Sequence, residues 1–318
     1  MKIMIPCVSL ETAKLQIAAG ADELYLGYDT KEFNLLTYNA RWRIATGEVK
    51  TQVQTVEEFK AIIDYAHERG VKVYLTANAN ILIPTLRDGY FKYIDTCIEA
   101  GIDGVIVSNI GLVKLVREAY SDLPIIVGVN TVTPNVGHLD LYRKYNVKRV
   151  VLPQNIMLPE IEEFCKQKDI EIEIFCHIGG GNICGRCTMN HDPLEIDLSS
   201  GCRGGFEVTG YDDSYNGACA YLDAAADCSV CHIDRLMEMG VTAVKITGRE
   251  SNNPMGLSKI VEFYRTVIDA VNENRSVEDA RESFREKNKA MWEGYWKPTF
   301  CDRDRCRFNE TLITRSYI

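Results

Sequence analysis

The feature that most limits what this chain can fold into is an alternation. Eight short β-branched runs recur along it: "IMIP" at 3–6, "ELYLG" at 23–27, "VKVYLTA" at 71–77, "GVIVS" at 104–108, "PIIVGV" at 124–129, "VKRVVLP" at 147–153, "IEIEIFC" at 170–176 and "AVKITG" at 243–248. Most are nearly continuous in apolar residues, which is the pattern of strands buried on both faces of a parallel sheet. Helical stretches lie between them. In "TVEEFKAIIDYAHERG" Thr55 and Glu58 fit a capping box and Gly70 fits the stop. A second cue repeats ahead of the strands: "AGADELYLG", "RGVKVYLT", "AGIDGVIVS", "YNVKRVVLP" and "MGVTAVKIT" each read as a helix end, a turn and a strand. Eight β-α units in roughly 250 residues predict a closed (β/α)8 TIM-type barrel over a doubly wound open sheet. The barrel is expected over residues 1–275, with a helical and aromatic extension over 276–318.

Two segments break the rhythm, residues 28–54 after the second strand and residues 177–230 after the seventh. Loops of that length inside a compact domain are usually functional or disordered. Both leave C-terminal ends of strands, where barrel enzymes place their sites. The 318 residues carry a formal charge of −9 with acidic and basic side chains interspersed, so no basic stripe marks a nucleic-acid partner. No run approaches a membrane span. The N-terminus moves straight into a strand-then-helix pattern, and a cytoplasmic location is expected.

Twelve cysteines are many for such a location, where clustered thiols point to metal or redox chemistry more than to disulfides. Cys7, Cys97 and Cys165 stand apart in apolar or helical surroundings and read as small buried side chains. Cys176, Cys184, Cys187, Cys202, Cys219, Cys228 and Cys231 fall within 56 residues. "CGRC" and "CSVC" each place two thiolates within reach of one metal, and Cys202 sits in the glycine-flanked "SGCRGG". Such spacing fits a structural zinc on four cysteines and an iron–sulfur cluster alike.

Other side chains carry less specific signals. His177 directly follows the seventh strand and reads either as a substrate or proton-transfer contact or as a structural histidine. His191 and His232 neighbour cysteines and read as bystanders. Neither G-x-S-x-G nor H-E-x-x-H occurs, so peptidase chemistry has little support of its own. "YWKPTFCDRDRCRF" holds Cys301 and Cys306 at CxxxxC spacing. It reads chiefly as a structural tail, with a second metal clip or a cover for the barrel mouth as alternatives.

From "IPCVSLETAKLQIAAGADELYLG" onward the chain resembles the collagenase-like peptidase family U32. "YNAR" at 38–41, "AHERGVKVYLTAN" at 67–79, "VKRVVLP", "CHIGG", "GRC", "GCR" and "VKITGRES" extend the likeness through about residues 3–270. Despite the peptidase name, the resemblance implies an iron–sulfur enzyme of oxygen-independent hydroxylation, acting on ubiquinone precursors or RNA bases with prephenate as hydroxyl source. A 4Fe–4S cluster is then favoured over zinc. The matching motifs carry the ligand role to Cys187, Cys202 and Cys231. Many relatives place their first cysteine where Gly180 stands, so Cys184 is the natural replacement and Cys176 the second choice. Cys219 and Cys228 remain alternatives for the fourth ligand.

A dicarboxylate donor needs guanidinium partners. The expected catalytic and anion-binding set is therefore His177, Arg186, Arg203, Lys245 and Arg249, with Arg41 a weaker member. The family also allows a homologous partner subunit, a non-catalytic cluster-bearing role, or a peptidase. The chain lacks the long additional C-terminal domain of larger RNA-acting members, which favours a small-molecule or peptide substrate.

Overall fold

The structure, a computed structural model, describes residues 1–30, 52–79, 82, 84–178, 206–210, 216–219, 227–248, 251, 253–302 and 306–308. Each of the eight apolar runs forms a strand. They are β1 (Lys2–Pro6), β2 (Glu23–Leu26), β3 (Lys72–Thr76), β4 (Gly104–Val107), β5 (Ile125–Val127), β6 (Arg149–Val151), β7 (Glu171–Ile178) and, eighth in the barrel, β11 (Ala243–Ile246). They pair in parallel in the order β7-β11-β1-β2-β3-β4-β5-β6, and β6 pairs with β7, so the sheet closes on itself. This is the (β/α)8 barrel. Among the described residues, three further strands lie between β7 and β11. β8 (Phe206–Thr209) and β9 (Asn216–Cys219) form an antiparallel pair, and β10 (Asp227–Cys228) runs antiparallel to the end of β7.

The helices follow the strands: α1 (Leu10–Ala18), α2 (Val56–His67), α3 (Arg87–Glu99), α4 (Ile110–Ala119), α5 (His138–Arg143) and α6 (Leu158–Cys165). α7 (Ile233–Met239) precedes β11, while α8 (Pro254–Asn272) and α9 (Val277–Lys287) come after it. Thr55 caps α2 by accepting the Glu58 N–H at 3.1 Å. The Glu58 carboxylate reaches the Leu10 N–H at 3.1 Å, joining α2 to the start of α1. The repeated cue before the strands has a backbone cause. Gly20, Gly70, Gly101 and Gly240, with Asn146 in the fifth case, all take positive φ in the turn between helix and strand. Glycine does this without a Cβ penalty, and asparagine tolerates it better than most.

The core has two parts. One lies between the sheet and its helices; the other fills the barrel with Met4, Tyr25, Tyr74, Ile106, Ile126, Val151 and Phe175. Charges share that interior. Arg149 is fully buried and donates to Glu23, to Glu173 at 3.0 Å and to Glu171 at 2.7 Å. Glu173 in turn accepts from Lys245 Nζ at 3.0 Å, and Lys2 stands 3.5 Å from Glu23. Burial alone would raise the Glu23 pKa, but the hydrogen bond and charge of Arg149 outweigh it and hold the carboxyl below its ordinary range.

This network generates a prediction. A carboxyl with a depressed folded pKa stabilises the fold above its unfolded pKa, about 4.3, and that contribution is lost as pH falls through the folded value. Among the described residues, removing the guanidinium leaves buried Glu23 with only Lys2 and buried Glu173 with only Lys245. Arg149→Met is therefore expected to lose about 3–5 kcal/mol at neutral pH, with the gap to wild type narrowing as acid protonates Glu23. Urea unfolding across pH 4–7 checks it; a gap that stays constant with pH would count against the network.

Candidate functional site

The C-terminal ends of β7 and β11 gather the chemistry-bearing side chains. β7 and β11 keep regular register through Phe175 and Lys245, and then Ile246 stands opposite His177. The chain spends one extra residue, Cys176, at this irregularity, which re-aims the side chains beyond it. The His177 ring ends up buried among aromatic rings, 5.0 Å from Trp296, 4.9 Å from Phe300 and 6.2 Å from Tyr264 between centroids. Desolvation there pushes its pKa down to about 3, so the imidazole is neutral at physiological pH. Its Nδ1 has no hydrogen-bond partner among the described residues.

The aromatic cover comes from the end of the chain. Trp292–Cys301 forms a wide, π-type helical segment that packs Trp296 and Phe300 onto the barrel wall. Beyond it, Cys306 forms a parallel bridge with Cys228, and the Arg307 N–H donates to the Cys228 carbonyl at 3.0 Å. The Arg307 guanidinium donates to the carbonyls of Phe175, Gln154 at 3.2 Å and Pro153 at 3.4 Å. A cation thus sits across the ends of β6 and β7.

Beneath this cover, the Tyr264 hydroxyl donates to the Cys176 carbonyl and accepts from the Ser229 N–H at 3.1 Å. Asp227 pairs with Ile178 across β10 and β7, and its Oδ1 is buried with no hydrogen-bond partner among the described residues. Burial pushes its carboxyl up to about 6, against the lowering pull of Arg307. It can therefore hold or release a proton close to neutral pH. Lys245 lies one layer deeper in the barrel interior, bonded to Glu173 and 4.2 Å from the Tyr25 ring centroid; burial foremost lowers its pKa.

Of the thiols, Cys228 is buried and Cys231, Cys301 and Cys306 are partly buried at the same place. The Cys231 and Cys306 side chains hydrogen-bond each other. Of the site residues expected from sequence, three are described and they stand apart: His177 under the aromatic cover, Lys245 in the barrel interior bonded to Glu173, and Cys231 in the turn Val230–His232 after β10. Arg41, Arg186, Arg203, Arg249, Cys184, Cys187, Cys202 and His191 lie outside the described residues, as does the Cys219 side chain. His232 packs its ring 5.7 Å from Phe308. Cys7, Cys97 and Cys165 are buried, as their apolar surroundings imply. Sequence reasoning did not single out Asp227, Tyr264 and Arg307. The one signal, and for Arg307 alone, was "RDRCRF", whose cysteine interleaved with arginines is unusual for a solvated tail.

Comparison with known proteins places this geometry in context. The family model described as peptidase family U32 matches residues 8–307. The tRNA hydroxylation protein P1 of Bacillus subtilis (strain 168) is 24% identical over 286 residues, covering 85% of this chain and 63% of that protein. The chain thus spans less than two thirds of that relative's length. The collagenase of Porphyromonas gingivalis (strain ATCC BAA-308 / W83) is 25% identical over 329 residues, covering 93% of this chain and 73% of the relative. Among solved structures, N-acetylneuraminate lyase from Fusobacterium nucleatum superposes with a TM-score of 0.50 at 10% identity, covering 91% of this chain and 81% of that one. That last likeness is one of fold alone. No helix among the described residues is long and apolar enough to cross a membrane.

The aromatic cover predicts a measurable dependence. Trp296→Ala removes a fully buried ring and is expected to cost about 3–5 kcal/mol in denaturant unfolding. It also opens His177 to water, so the imidazole pKa is expected to climb from about 3 toward its ordinary value. Nuclear magnetic resonance titration of the ring protons reads this directly.

Proposed function

The chain belongs to peptidase family U32, and from that premise we propose that it is an iron–sulfur enzyme of oxygen-independent hydroxylation. The observation that carries the reading is its likeness, over most of its length, to a protein named for tRNA hydroxylation, in a chain that concentrates cysteines after β7. The donor set of the proposed centre is Cys184, Cys187, Cys202 and Cys231. All four are soft thiolate ligands, as iron–sulfur clusters require. Of these, Cys231 is the described member, and it lies in the turn Val230–His232 that follows Cys228 at the end of β10. Zinc on the same thiolates is the alternative cofactor.

When bound, a 4Fe–4S cluster supplies electrons at a potential set by its surroundings. The remaining work falls to side chains of this chain. Arg186, Arg203 and Arg249 bind the carboxylates of an anionic oxygen donor such as prephenate, because buried carboxylates are costly unless paired. Asp227 holds a proton that it can give up near neutral pH. The Trp296 and Phe300 cover keeps water from the wall around His177. Transfer RNA is the first acceptor to test, on the relative's name. The chain's net charge of −9 makes it a poor RNA binder by itself, so a homologous partner subunit or a further segment is proposed to supply the basic surface.

A second reading, peptidase, rests on the likeness to the P. gingivalis collagenase. The experiment that separates the two uses cells lacking the protein, complemented with wild type or Cys187→Ala. Hydroxylated nucleosides in their RNA are measured by mass spectrometry, and iron and sulfide are assayed in protein purified without oxygen. The expected result is that Cys187→Ala loses both cluster and modification. Unchanged RNA together with gelatin cleavage by a cluster-free sample would transfer the assignment to the peptidase.

A further inference from the structure

The segments that leave β3, β4 and β5 carry no charged residue: "TANA" at 76–79, "SNIG" at 108–111 and "GVNTVT" at 128–133. They rise from neighbouring strands at one level. Thr76 pairs with Ile106, and Val107 pairs with Val127. The N–H groups of Ala77 and Gly128 carry the ladder one step further, donating to the Ile106 carbonyl at 2.9 Å and the Val107 carbonyl at 2.7 Å. Asn78, Ser108 and Gly128 therefore follow in step. Tyr74, Ile106 and Ile126 belong to the cluster that fills the barrel, whereas Val105 and Val107 face the helices. Alternation along the strand then turns Ser108, two residues past Ile106, into the barrel mouth above that filling.

Neighbouring polar side chains are bonded. Thr76 Oγ1 donates to the Leu26 carbonyl at 3.0 Å, and Asn109 donates to the Ala79 carbonyl at 3.0 Å and accepts from the Leu112 N–H at 2.9 Å. Ser108 is 1% exposed, yet its hydroxyl has no hydrogen-bond partner among the described residues, and neither has the buried Oδ1 of Asn78. A buried polar group without a partner costs stability, and it persists where something outside the chain completes it. Gly128 keeps the space beside the two groups clear. A Cβ there would stand 3.0 Å from the Val107 carbonyl oxygen, 3.2 Å from Ile106 Cγ2 and 3.5 Å from Asn78 Oδ1. Just beyond, Val132 takes a φ of 57°, a conformation that a β-branched residue adopts only under constraint.

We propose that Asn78, Ser108 and Gly128 form a subsite for the uncharged edge of the acceptor substrate, a group that offers one hydrogen-bond donor and one acceptor. The donor goes to Asn78 Oδ1, and the acceptor receives the Ser108 hydroxyl. A ring hydroxyl meets both demands with one oxygen, and a cyclic amide meets them with its N–H and C=O. An ionised carboxylate offers no donor, and the three segments hold no cation to balance it. In the closed sheet β4 stands opposite β11. The subsite thus lies across the mouth from the segment after β11 that carries Arg249. Its assignment to the hydroxyl acceptor rests on the proposed hydroxylase; the subsite itself does not.

The test uses full-length protein purified without oxygen and titrated with 2-pyridone, phenol and benzoate, with binding read by ligand-observed nuclear magnetic resonance. Wild type is expected to bind one or both uncharged probes. Ser108→Ala and Asn78→Ala are each expected to weaken that binding about five- to tenfold, while any benzoate binding stays as in wild type. Preference for phenol identifies a ring hydroxyl, and preference for 2-pyridone a cyclic amide. Because the Ser108 hydroxyl has no partner to lose, the urea midpoint of Ser108→Ala is expected to equal or exceed that of wild type. A lowered midpoint would show that the hydroxyl is bonded within the fold, and would overturn the subsite. So would equal probe affinity in wild type and both variants, or no binding of either uncharged probe. In complemented cells Ser108→Ala is expected to keep its iron and sulfide and to lose hydroxylation. Hydroxylation absent from wild type together with the expected probe binding would overturn the hydroxylase and retain the subsite, so the two readings fail separately.

Discussion

A guanidinium on the barrel axis is the interaction on which the rest depends. Arg149 reaches from β6 to Glu23 on β2 and to Glu171 and Glu173 on β7, tying opposite walls of the cylinder. Charges so placed are costly to desolvate, and they are tolerated because nearly every donor finds a carboxylate. Removing Arg149 takes the shared guanidinium from all three carboxylates at once. The network also reaches toward the site, since Glu173 binds Lys245 of β11 with its second oxygen. The strand that carries Lys245 also carries Ile246, which stands opposite His177 where the register with β7 breaks.

At the rim, the chain's own C-terminus supplies the walls. Trp296 and Phe300 bury His177, and Arg307 takes the exposed carbonyls at the ends of β6 and β7. A barrel mouth usually leaves such carbonyls to ligands or loops. Here Arg307 takes them, and the chain runs on from β7 into the segment 179–205. Expected anion-binding residues of the sequence, Arg186 and Arg203, fall in that segment, and Arg249 closely follows β11.

The barrel was legible because a parallel sheet covered on both faces writes continuous apolar runs, and left-handed glycines mark where each helix gives way to a strand. "AGAD", "RGVK" and "MGVT" are backbone requirements visible as residues. The interior network was not legible. Glu23, Arg149, Glu173 and Lys245 each look like a polar interruption of a strand, and their pairing depends on barrel closure, which no local pattern encodes. The site was half legible. Cys231 and His177 stand where strand ends put them, whereas the docking of Cys306 onto Cys228 joins positions 78 residues apart in the chain through a bridge that spacing rules do not anticipate. The burial of His177 escaped for the same reason, because its neighbours Trp296 and Phe300 arrive from the far end of the sequence.

The central claim is that soft-metal chemistry on thiolates defines the β7–β11 rim. X-ray absorption at the iron and zinc edges, recorded on the full-length protein purified without oxygen, tests it most directly. Iron with an all-sulfur first shell and iron neighbours beyond it is the predicted result, with any zinc also bound by sulfur alone. Metal bound by nitrogen and oxygen ligands, or no metal at either edge, would contradict it.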